Sequence, residues 1–333
     1  MRKEIGSEFW SIPTTNAERG IFADDTGWFM SGRSALEAII VHAMDSSGAK
    51  VAHLPSWCCD SMIIPFVKHG LEVRFYPVYM RNGELVQEIP ECEAGELLLV
   101  MDYFGYSSEY SADGQKATVI RDLTHTVFSN DRHDADYYFG SLRKWCGFKT
   151  GGFAIGIGKQ LMPTAEKYVA LRSRAMEAKA GYMQGEREDK GYLNSFAEAE
   201  EYLDHSPVAG ALPCEIELAN KIDVELIRNR RRQNAAILME AFPEHLIFDR
   251  LSDRDCPLFV PIVLDPTVRD GLRKHLISRE IYLPIHWPIS SYHKLDGNTR
   301  DIYEREISLV CDQRYGQEDM YRMVNAINDY FKR

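Results

Sequence analysis

The amino-acid sequence predicts an α/β fold, in which helices sandwich a mostly parallel sheet, followed by a smaller C-terminal α+β domain. Short apolar runs alternate with helix-like segments from residue 31 to residue 160, a pattern typical of parallel sheets covered on both faces. The chain has 333 residues, enough to bury one large core and a smaller second one. We therefore expect a large domain over residues 1–240 and a small domain over residues 241–333.

The first half of the chain is predicted to carry most of the strands. Ser34-Ala35-Leu36-Glu37 has the form of a capping box and opens the first helix. A short strand is expected at 50–54, and a helix follows through 63–67. Further strand-length apolar runs lie at 71–78, 97–103, 117–122, 135–139 and 152–157.

The second half begins with helices and ends as an α+β unit. Residues 163–203 are polar and helical in pattern, and one long helix is predicted from 215 to 241. The predicted small domain then consists of strands at 257–264, 281–285 and 307–311 and helices at 268–278 and 318–331.

Composition and charge limit the classes of partner. The formal net charge of −11 disfavours binding to the phosphate backbone of nucleic acids. We interpret the basic run Arg230-Arg231-Arg232 as the solvated face of a helix. No uncharged apolar stretch reaches about 18 residues and the N-terminus lacks an apolar signal core, so we expect a cytoplasmic protein without membrane contact. The seven cysteines show no C-x-x-C spacing, and the scattered histidines predict no metal site.

Two residues that follow neighbouring strands point to cofactor chemistry. Asp122 ends one apolar run, and Lys144 follows the next strand, shortly before Gly151-Gly152. A lysine amine forms a Schiff base with the aldehyde of pyridoxal phosphate (PLP), and a carboxylate keeps the pyridine nitrogen of that cofactor protonated. Taken singly, Asp122 also fits a strand-end cap and Lys144 a solvated loop residue. Lys149 is an alternative Schiff-base lysine, but it lies closer to the glycines, and we favour Lys144.

Two further segments could contact a ligand. Gly32-Arg33-Ser34 opens the first helix, where backbone N–H groups and the helix dipole favour an anion, although a capped surface helix explains the same residues. His286-Trp287-Pro288 follows a predicted strand and fits either a packed turn or a substrate contact.

The chain resembles the DegT/DnrJ/StrS group of sugar aminotransferases, which are fold-type-I PLP enzymes. The resemblance runs over most of the chain, and its matching segments stand in the order found in that family. These segments are 31–36, 54–59, 101–105, 121–125, 141–144 and 151–152.

This resemblance implies a role for each matching residue around the cofactor ring. Lys144 would carry the Schiff base and move the Cα proton, Asp122 would pair with the pyridine nitrogen, and His125 would lie on the phenolic side of the ring. An aromatic side chain normally stacks on the ring, and Trp57 is the nearest candidate. Strict spacing from the preceding proline points instead to Cys59.

The resemblance also implies a phosphate site and a substrate contact. Gly32, Arg33 and Ser141 would hold the cofactor phosphate, and His286 is the candidate for binding substrate. Two features depart from the family. An Asn-x-Arg segment that usually reaches across the dimer is missing around 205–209, and Lys144 stands closer to Ser141 than is common.

The implied function is a ping-pong transamination in a homodimer. The amino donor would be an amino acid, plausibly glutamate, and the acceptor a keto sugar, first of all a nucleotide-linked one. Burial beside positive groups such as Arg143 would favour the neutral amine of Lys144 that this chemistry needs. The alternatives are another PLP reaction, such as elimination or dehydration, and a non-catalytic binding protein that keeps the fold.

Overall fold

A computed structural model of the protein describes residues 4–16, 20–106, 110–111, 114–130 and 133–332. The strands of these residues are β1 Ile5–Gly6, β2 Gly27–Phe29, β3 Val51–Pro55, β4 Glu72–Tyr76, β5 Val78–Arg81, β6 Glu84–Gln87, β7 Leu97–Met101, β8 Thr118–Asp122, β9 Tyr137–Ser141, β10 Gly152–Ile155, β11 Val260–Val263, β12 Ile281–Tyr282 and β13 Glu306–Leu309. The helices are α1 Gly32–Ser47, α2 Asp60–Lys68, α3 Glu166–Gln184, α4 Tyr192–Asp204, α5 Pro213–Ala219, α6 Val224–Ala241, α7 Pro266–Ile277, α8 Gly297–Arg305 and α9 Gln317–Phe331.

The centre of the protein is a seven-stranded sheet in the order β2-β10-β9-β8-β7-β3-β4. Neighbouring strands from β9 to β4 run parallel, whereas β10 is antiparallel to both β9 and β2. All five residues of β7 are buried, as expected for a central strand covered on both faces. The predicted mostly parallel α/β fold is confirmed.

Local chemistry explains where α1 begins and ends. Ser31 precedes the helix and its side chain accepts a hydrogen bond from the backbone N–H of Ser34 at 3.1 Å. Gly48 ends the helix with a φ of 70°, a left-handed conformation that glycine adopts without steric cost. The apolar face of α1 is buried against the sheet, so its N-terminus is held beside β9 and β10.

Two predicted elements differ from the structure because turn residues interrupt them. The single helix predicted from 215 to 241 is two helices, α5 and α6, because Asp223 caps α6 by accepting a hydrogen bond from Leu226 N–H at 3.0 Å.

The strand predicted at 71–78 divides at Pro77, and its second part forms a hairpin with β6. Asn82-Gly83 makes the hairpin turn with φ values of 54° and 83°, which suits this dipeptide.

The C-terminal part of the chain forms a second lobe beside the sheet. β11 pairs antiparallel with β13, and helices α7, α8 and α9 pack around them. β1 crosses from the N-terminus and pairs parallel with β12. We propose that the lobes divide between residues 240 and 241, in the last turn of α6, with β1 as the strand that joins the second lobe.

Within the described part of the chain, no helix has the length and apolar character needed to cross a membrane.

Candidate active site

A cavity of about 620 Å³ opens where the carboxyl ends of the parallel strands meet the second lobe. This end of a parallel sheet is where ligands usually bind in open α/β folds. Eight of the nine predicted site residues line the cavity, so residues far apart in the sequence share one wall. They are Gly32, Arg33, Cys59, Asp122, His125, Ser141, Lys144 and His286.

Asp122 presents a buried carboxylate to the cavity. It ends β8, is 3% exposed, and its Oδ1 accepts a hydrogen bond from Thr124 N–H at 2.7 Å. Burial raises the pKa of Asp122 to about 6, an effect that Thr124 and Lys144 only partly offset. No ion pair involves Asp122 among the described residues. The carboxylate is therefore suited to a ligand that brings a positive charge.

His125 is held as a neutral ring with a defined tautomer. Its Nδ1 lies 3.2 Å from the backbone nitrogen of Phe104, which donates the hydrogen bond. The proton of the neutral ring is then carried by Nε2. Burial lowers the pKa of His125 well below its usual value, and the nearby charges of His286 and Lys144 act in the same direction. His125 therefore offers an N–H donor to the cavity.

Lys144 ends a short 3₁₀ turn directly after β9, and its side chain is exposed to the cavity. The expectation that Lys144 is buried beside Arg143 was wrong. Arg143 instead pairs with Glu200 and lies over the ring of Tyr168. Lys144 itself has no carboxylate partner among the residues that the structure describes, so its amine is available to a ligand.

Lys149, the alternative lysine, is not part of the cavity wall. Its backbone N–H donates to Glu215 Oε1 at 2.9 Å, and its Nζ lies 4.0 Å from the same oxygen. Glu215 therefore holds Lys149 away from the cavity, which favours Lys144 as the reactive amine.

The N-terminus of α1 forms a narrow cradle because two glycines allow close approach. A Cβ on Gly32 would lie 3.1 Å from the Ser141 side chain, and a Cβ on Gly152 would lie 2.0 Å from the carbonyl oxygen of Ser31. The first backbone N–H groups of a helix have no partner within the helix and attract anions. This end of α1 therefore leaves a space beside backbone N–H groups that a larger residue at either glycine would fill.

Arg33 lines the same cradle, but its guanidinium is already paired. Its Nη1 donates to Asp204 Oδ1 at 2.6 Å, which links the start of α1 to the end of α4. An anion at α1 would therefore meet backbone N–H groups and the Ser141 hydroxyl rather than an unpaired arginine.

Of the two candidates for ring stacking, Cys59 lines the cavity and Trp57 does not. Trp57 is fully buried behind the wall, where its Nε1–H donates to the carbonyl oxygen of His286 at 2.7 Å. Its ring stacks on Tyr103 with a centroid distance of 4.9 Å. Trp57 therefore supports the wall, because the loop after β3 turns its ring into the core.

His286 is oriented by a buried carboxylate in the second lobe. Its backbone N–H donates to Glu306 Oε2 at 2.7 Å, and its Nδ1 lies 3.0 Å from Ser308 Oγ. The Ser308 hydroxyl donates to Glu306 Oε1 at 2.5 Å, so the serine oxygen accepts the Nδ1 proton of His286. The contact at Nδ1 therefore fixes the orientation of the His286 ring in the cavity wall.

Sequence reasoning missed the cationic residues that the second lobe and α6 bring to the cavity. Arg231 is fully buried and lines the cavity, so its interpretation as a solvated residue was wrong. The missed signal was its spacing, because Arg231 lies one helical repeat from Ile227 and from Ala235 on the buried face of α6. Arg273, on α7, and Arg314 line the same cavity.

Arg314 binds the N-terminal segment to this side of the cavity through two hydrogen bonds. Its Nη1 donates to the carbonyl oxygen of Glu8 at 3.0 Å, and its Nη2 to that of Ser7 at 3.1 Å. Asp312 neutralises the guanidinium at 2.8 Å. The segment that begins with β1 therefore contributes wall residues that no local sequence pattern indicated.

One group outside the cavity has donor types that bind metals. His53, Cys92 and Glu96 bring their ligand atoms within 4.8 Å of one another in the described part of the chain. His53 Nε2 and Glu96 Oε2 already form a hydrogen bond of 3.1 Å, and burial raises the pKa of the Cys92 thiol to about 11. A protonated thiol is a poor metal ligand, so an internal hydrogen bond accounts for this group. The absence of a metal site stays a prediction.

Comparison with known proteins defines the class of fold. No family model matches the chain, and no curated sequence matches it. Solved structures that share the architecture include aminotransferases, some of them described as sugar aminotransferases, so the chain has the fold-type-I architecture of those proteins and the predicted resemblance is confirmed for the fold.

Three of these structures illustrate the similarity. An aminotransferase of the DegT/DnrJ/EryC1/StrS type from Brucella abortus is 14% identical, with a TM-score of 0.62 over 92% of this chain and 86% of the other. PseC of Helicobacter pylori, an aminotransferase involved in pseudoaminic acid biosynthesis, is 13% identical, with a TM-score of 0.62 over 98% and 100%. DesV of S. venezuelae, solved with a ketimine intermediate, is 15% identical, with a TM-score of 0.63 over 96% and 91%.

Proposed function

We propose that this protein is a PLP-dependent aminotransferase that moves an amino group from an amino acid to a keto sugar. The observation that carries the proposal is the pair formed by Asp122 and Lys144. A buried carboxylate and an exposed amine, neither with an ion-pair partner among the described residues, line one cavity at the ends of neighbouring strands. A binding protein has no need of both, whereas PLP chemistry uses both.

The residues of the cavity fit PLP at each of its polar groups. Lys144 would hold the aldehyde, Asp122 would pair with the pyridine nitrogen, and His125 would donate its Nε2 proton to the phenolic oxygen. The cradle that Gly32 and Ser141 form at α1 would receive the phosphate. When bound, PLP supplies an aldehyde that accepts amino groups and a ring that delocalises negative charge.

The side chains then have distinct tasks in the transfer. Lys144 takes the proton from the carbon that bears the donor's amino group and returns a proton to the product. Asp122 would keep its negative charge beside the pyridine nitrogen, because a nearby cation would offset the effect of burial on the carboxyl group. His286 contacts the substrate from the second lobe. Donor and acceptor use the same cavity in turn, so we propose a ping-pong reaction with glutamate as donor and a nucleotide-linked keto sugar as acceptor.

Borohydride trapping tests the proposed cofactor and its anchor. Protein incubated with PLP is expected to show a yellow absorption band that bleaches on reduction, and peptide mapping is expected to find the label on Lys144. A Lys149→Gln protein is the matched control and should be labelled equally, because Glu215 holds that side chain outside the cavity. A label on Lys149, or no band at all, would contradict the proposal.

We also propose that the protein forms a homodimer, as the resemblance to the sugar aminotransferases implies. Leu161 and Met162, between β10 and α3, support this because they are 99% and 37% exposed. Exposed neighbouring apolar residues often mark protein interfaces. In light scattering, Leu161→Asp is expected to shift the protein towards the mass of one chain. Leu193→Asp on α4, also exposed, should leave the mass unchanged. A wild-type protein with the mass of one chain would refute the homodimer.

A further inference from the structure

A buried carboxylate lies behind His286 in the second lobe. Glu306 and Ser308 alternate along β13, so their side chains point to the same face of the strand. Both residues are fully buried. Glu306 Oε1 lies 3.6 Å from Nδ1 of His286, the only basic side chain in ion-pair contact with Glu306 in the described chain. A carboxylate sealed from water is costly unless a positive charge forms beside it.

Ser308 connects the carboxylate to the ring, and the three residues Glu306, Ser308 and His286 are here named the relay. The Ser308 hydroxyl donates to Glu306 Oε1 at 2.5 Å, and its Oγ lies 3.0 Å from His286 Nδ1. The backbone N–H of Ser308 donates to the carbonyl oxygen of Pro284 at 3.0 Å, which holds the start of the His286 loop against β13. A carboxylate that acts on one imidazole nitrogen through hydrogen bonds orients the ring. It also stabilises the charge that the ring acquires when it takes a proton.

The second ring nitrogen of His286, Nε2, is left for a ligand. It has no hydrogen-bond partner among the described residues, the side chain is 12% exposed, and His286 lines the cavity. The ring centroid of His286 lies 6.1 Å from that of His125. His125 is the residue proposed to bind the phenolic oxygen of PLP, and the aldehyde of PLP is attached to the neighbouring ring carbon. His286 therefore lies on the side of the cavity where amino groups would react.

An incoming amino donor has to lose a proton before it reacts. An amino group is mostly protonated at neutral pH and attacks a carbon only as the neutral amine. Lys144 cannot take that proton, because its own nitrogen is bound to the cofactor at that moment. His125 is a poor base, because burial lowers its pKa well below the usual value and the charges of His286 and Lys144 lower it further.

We propose that His286 is the base that takes this proton from the amino donor, with Glu306 and Ser308 as the residues that position its ring. An N–H bond of the donor ammonium group breaks, the proton goes to Nε2 of His286, and the electron pair stays on the donor nitrogen. The proton then passes to the Lys144 amine when that amine leaves. Lys144 therefore acts at carbon and His286 at nitrogen. The inference rests on the proposed aminotransferase function and adds a second proton-transfer residue to it.

The tautomer of His286 tests the relay without cofactor or turnover. In nitrogen NMR spectra of isotope-labelled protein at alkaline pH, where imidazoles are neutral, we expect the ring proton on Nδ1. Ser308→Ala and Glu306→Gln should each move the proton largely to Nε2, the nitrogen that an unconstrained imidazole favours. The spectrum of a His286→Gln protein assigns the signal by its absence. A wild-type ring that carries its proton on Nε2 would refute the relay.

Two simple amines test the base itself in the PLP-loaded protein. Ethylamine is protonated at neutral pH and methoxyamine is not, so only ethylamine has to lose a proton before it replaces Lys144 on the cofactor. His286→Gln should slow the exchange with ethylamine by about 10²-fold or more, the usual contribution of a general base, and leave the exchange with methoxyamine nearly unchanged. Borohydride quenching followed by peptide mapping of Lys144 measures both rates. Because neither amine resembles a substrate, the result does not depend on which donor the protein uses.

Variants of the relay and a matched control separate proton transfer from a general effect on the wall. Ser308→Ala and Glu306→Gln should slow ethylamine exchange by about 10- to 100-fold, the cost of one charge-assisted hydrogen bond, and leave methoxyamine exchange unchanged. His293→Gln, in the same loop, should change neither rate. Both ring nitrogens of His293 are hydrogen-bonded within the chain, to the carbonyl oxygen of Cys58 at 3.0 Å and to the backbone N–H of Ser290 at 3.1 Å.

Each outcome decides between a base and a structural role for His286. Equal slowing of both amines by His286→Gln would refute the base. Wild-type exchange of ethylamine in His286→Gln would also refute it, as would a wild-type protein that exchanges methoxyamine but not ethylamine. Should His286→Gln fail to fold, Ser308→Ala still decides. Absence of PLP labelling together with the Nδ1 tautomer would refute the proposed function, and with it the donor ammonium as the proton source, and leave the relay standing.

Discussion

Replacement of Lys144 by alanine is expected to abolish amino transfer. The substitution removes both the amine that anchors the cofactor and the group that moves the proton, and positioned proton transfer alone contributes about 10²–10⁴-fold to rate. The fold should survive, because Lys144 is exposed and has no carboxylate partner among the described residues. Steady-state turnover with L-glutamate and a keto-sugar acceptor, beside a thermal unfolding curve, measures both effects.

Lys149→Ala is the matched control for this loss. It removes the same functional group five positions along the chain, where Glu215 holds it outside the cavity, so activity should stay within the range of a surface substitution. Wild-type turnover by the Lys144→Ala protein would overturn the assignment of the reactive lysine. Equal loss in both variants would point to a general effect of charge in this loop.

The substitution Asp122→Asn should stabilise the cofactor-free protein while it removes activity. The pKa of Asp122 rises from 3.8 to about 6 on burial, so the folded protein binds this proton more tightly than the unfolded chain does. Ionisation of Asp122 therefore costs no stability below about pH 4, lowers stability as pH rises from about 4 to about 6, and adds no further loss above that pH. The rise of this pKa from 3.8 to about 6 corresponds to about 3 kcal/mol of unfolding free energy at neutral pH. Urea unfolding of both proteins between pH 4 and pH 8 should show the difference appear with rising pH.

Activity of the Asp122→Asn variant should fall by about 10²–10³-fold, the usual cost of removing one preorganised electrostatic group.

Asp102→Asn is the matched control for the stability effect of Asp122→Asn. Asp102 follows β7 and is as buried as Asp122, but it accepts two hydrogen bonds of 2.9 Å from the buried Arg121. Removing that partner should destabilise the protein by about 3–5 kcal/mol, the opposite sign. Destabilisation of similar size in both variants would contradict the unpaired state of Asp122.

Much of the fold could be predicted because its strands and helices carry strong local patterns. The run that became β7 is apolar throughout. The capping box predicted at Ser34 was wrong by three residues, because Ser31 caps α1 and Ser34 lies inside the helix as the N–H donor of that cap. The helix predicted from 215 to 241 was interrupted at Asp223, whose capping hydrogen bond depends on side-chain geometry that apolar periodicity does not record. β1 and β12 are two residues each and pair across 276 positions, so no window of sequence could reveal them.

In the candidate site, too, some residues could be predicted from local sequence and others could not. Asp122 and Lys144 could be found because each follows a strand, and parallel strands bring their carboxyl ends to one edge of the sheet. Arg231 could not be interpreted correctly from composition, because three adjacent arginines look alike until α6 is packed and one of them faces the core. Trp57 and Cys59 could not be separated either, since the loop after β3 decides which of them faces the cavity.

The sequence by itself determined the α/β class, the positions of the acid, the lysine and the glycine-rich helix start, and therefore the expectation of PLP chemistry. Only the tertiary structure decided which charges are neutralised. Asp204 pairs with Arg33 and Glu200 pairs with Arg143 from more than fifty residues away, whereas the buried Arg231 is held by the neutral acceptors of Gln313, Pro257 and Leu258. Electrostatic interaction depends on distance through space and on burial, and a linear pattern of residues records neither.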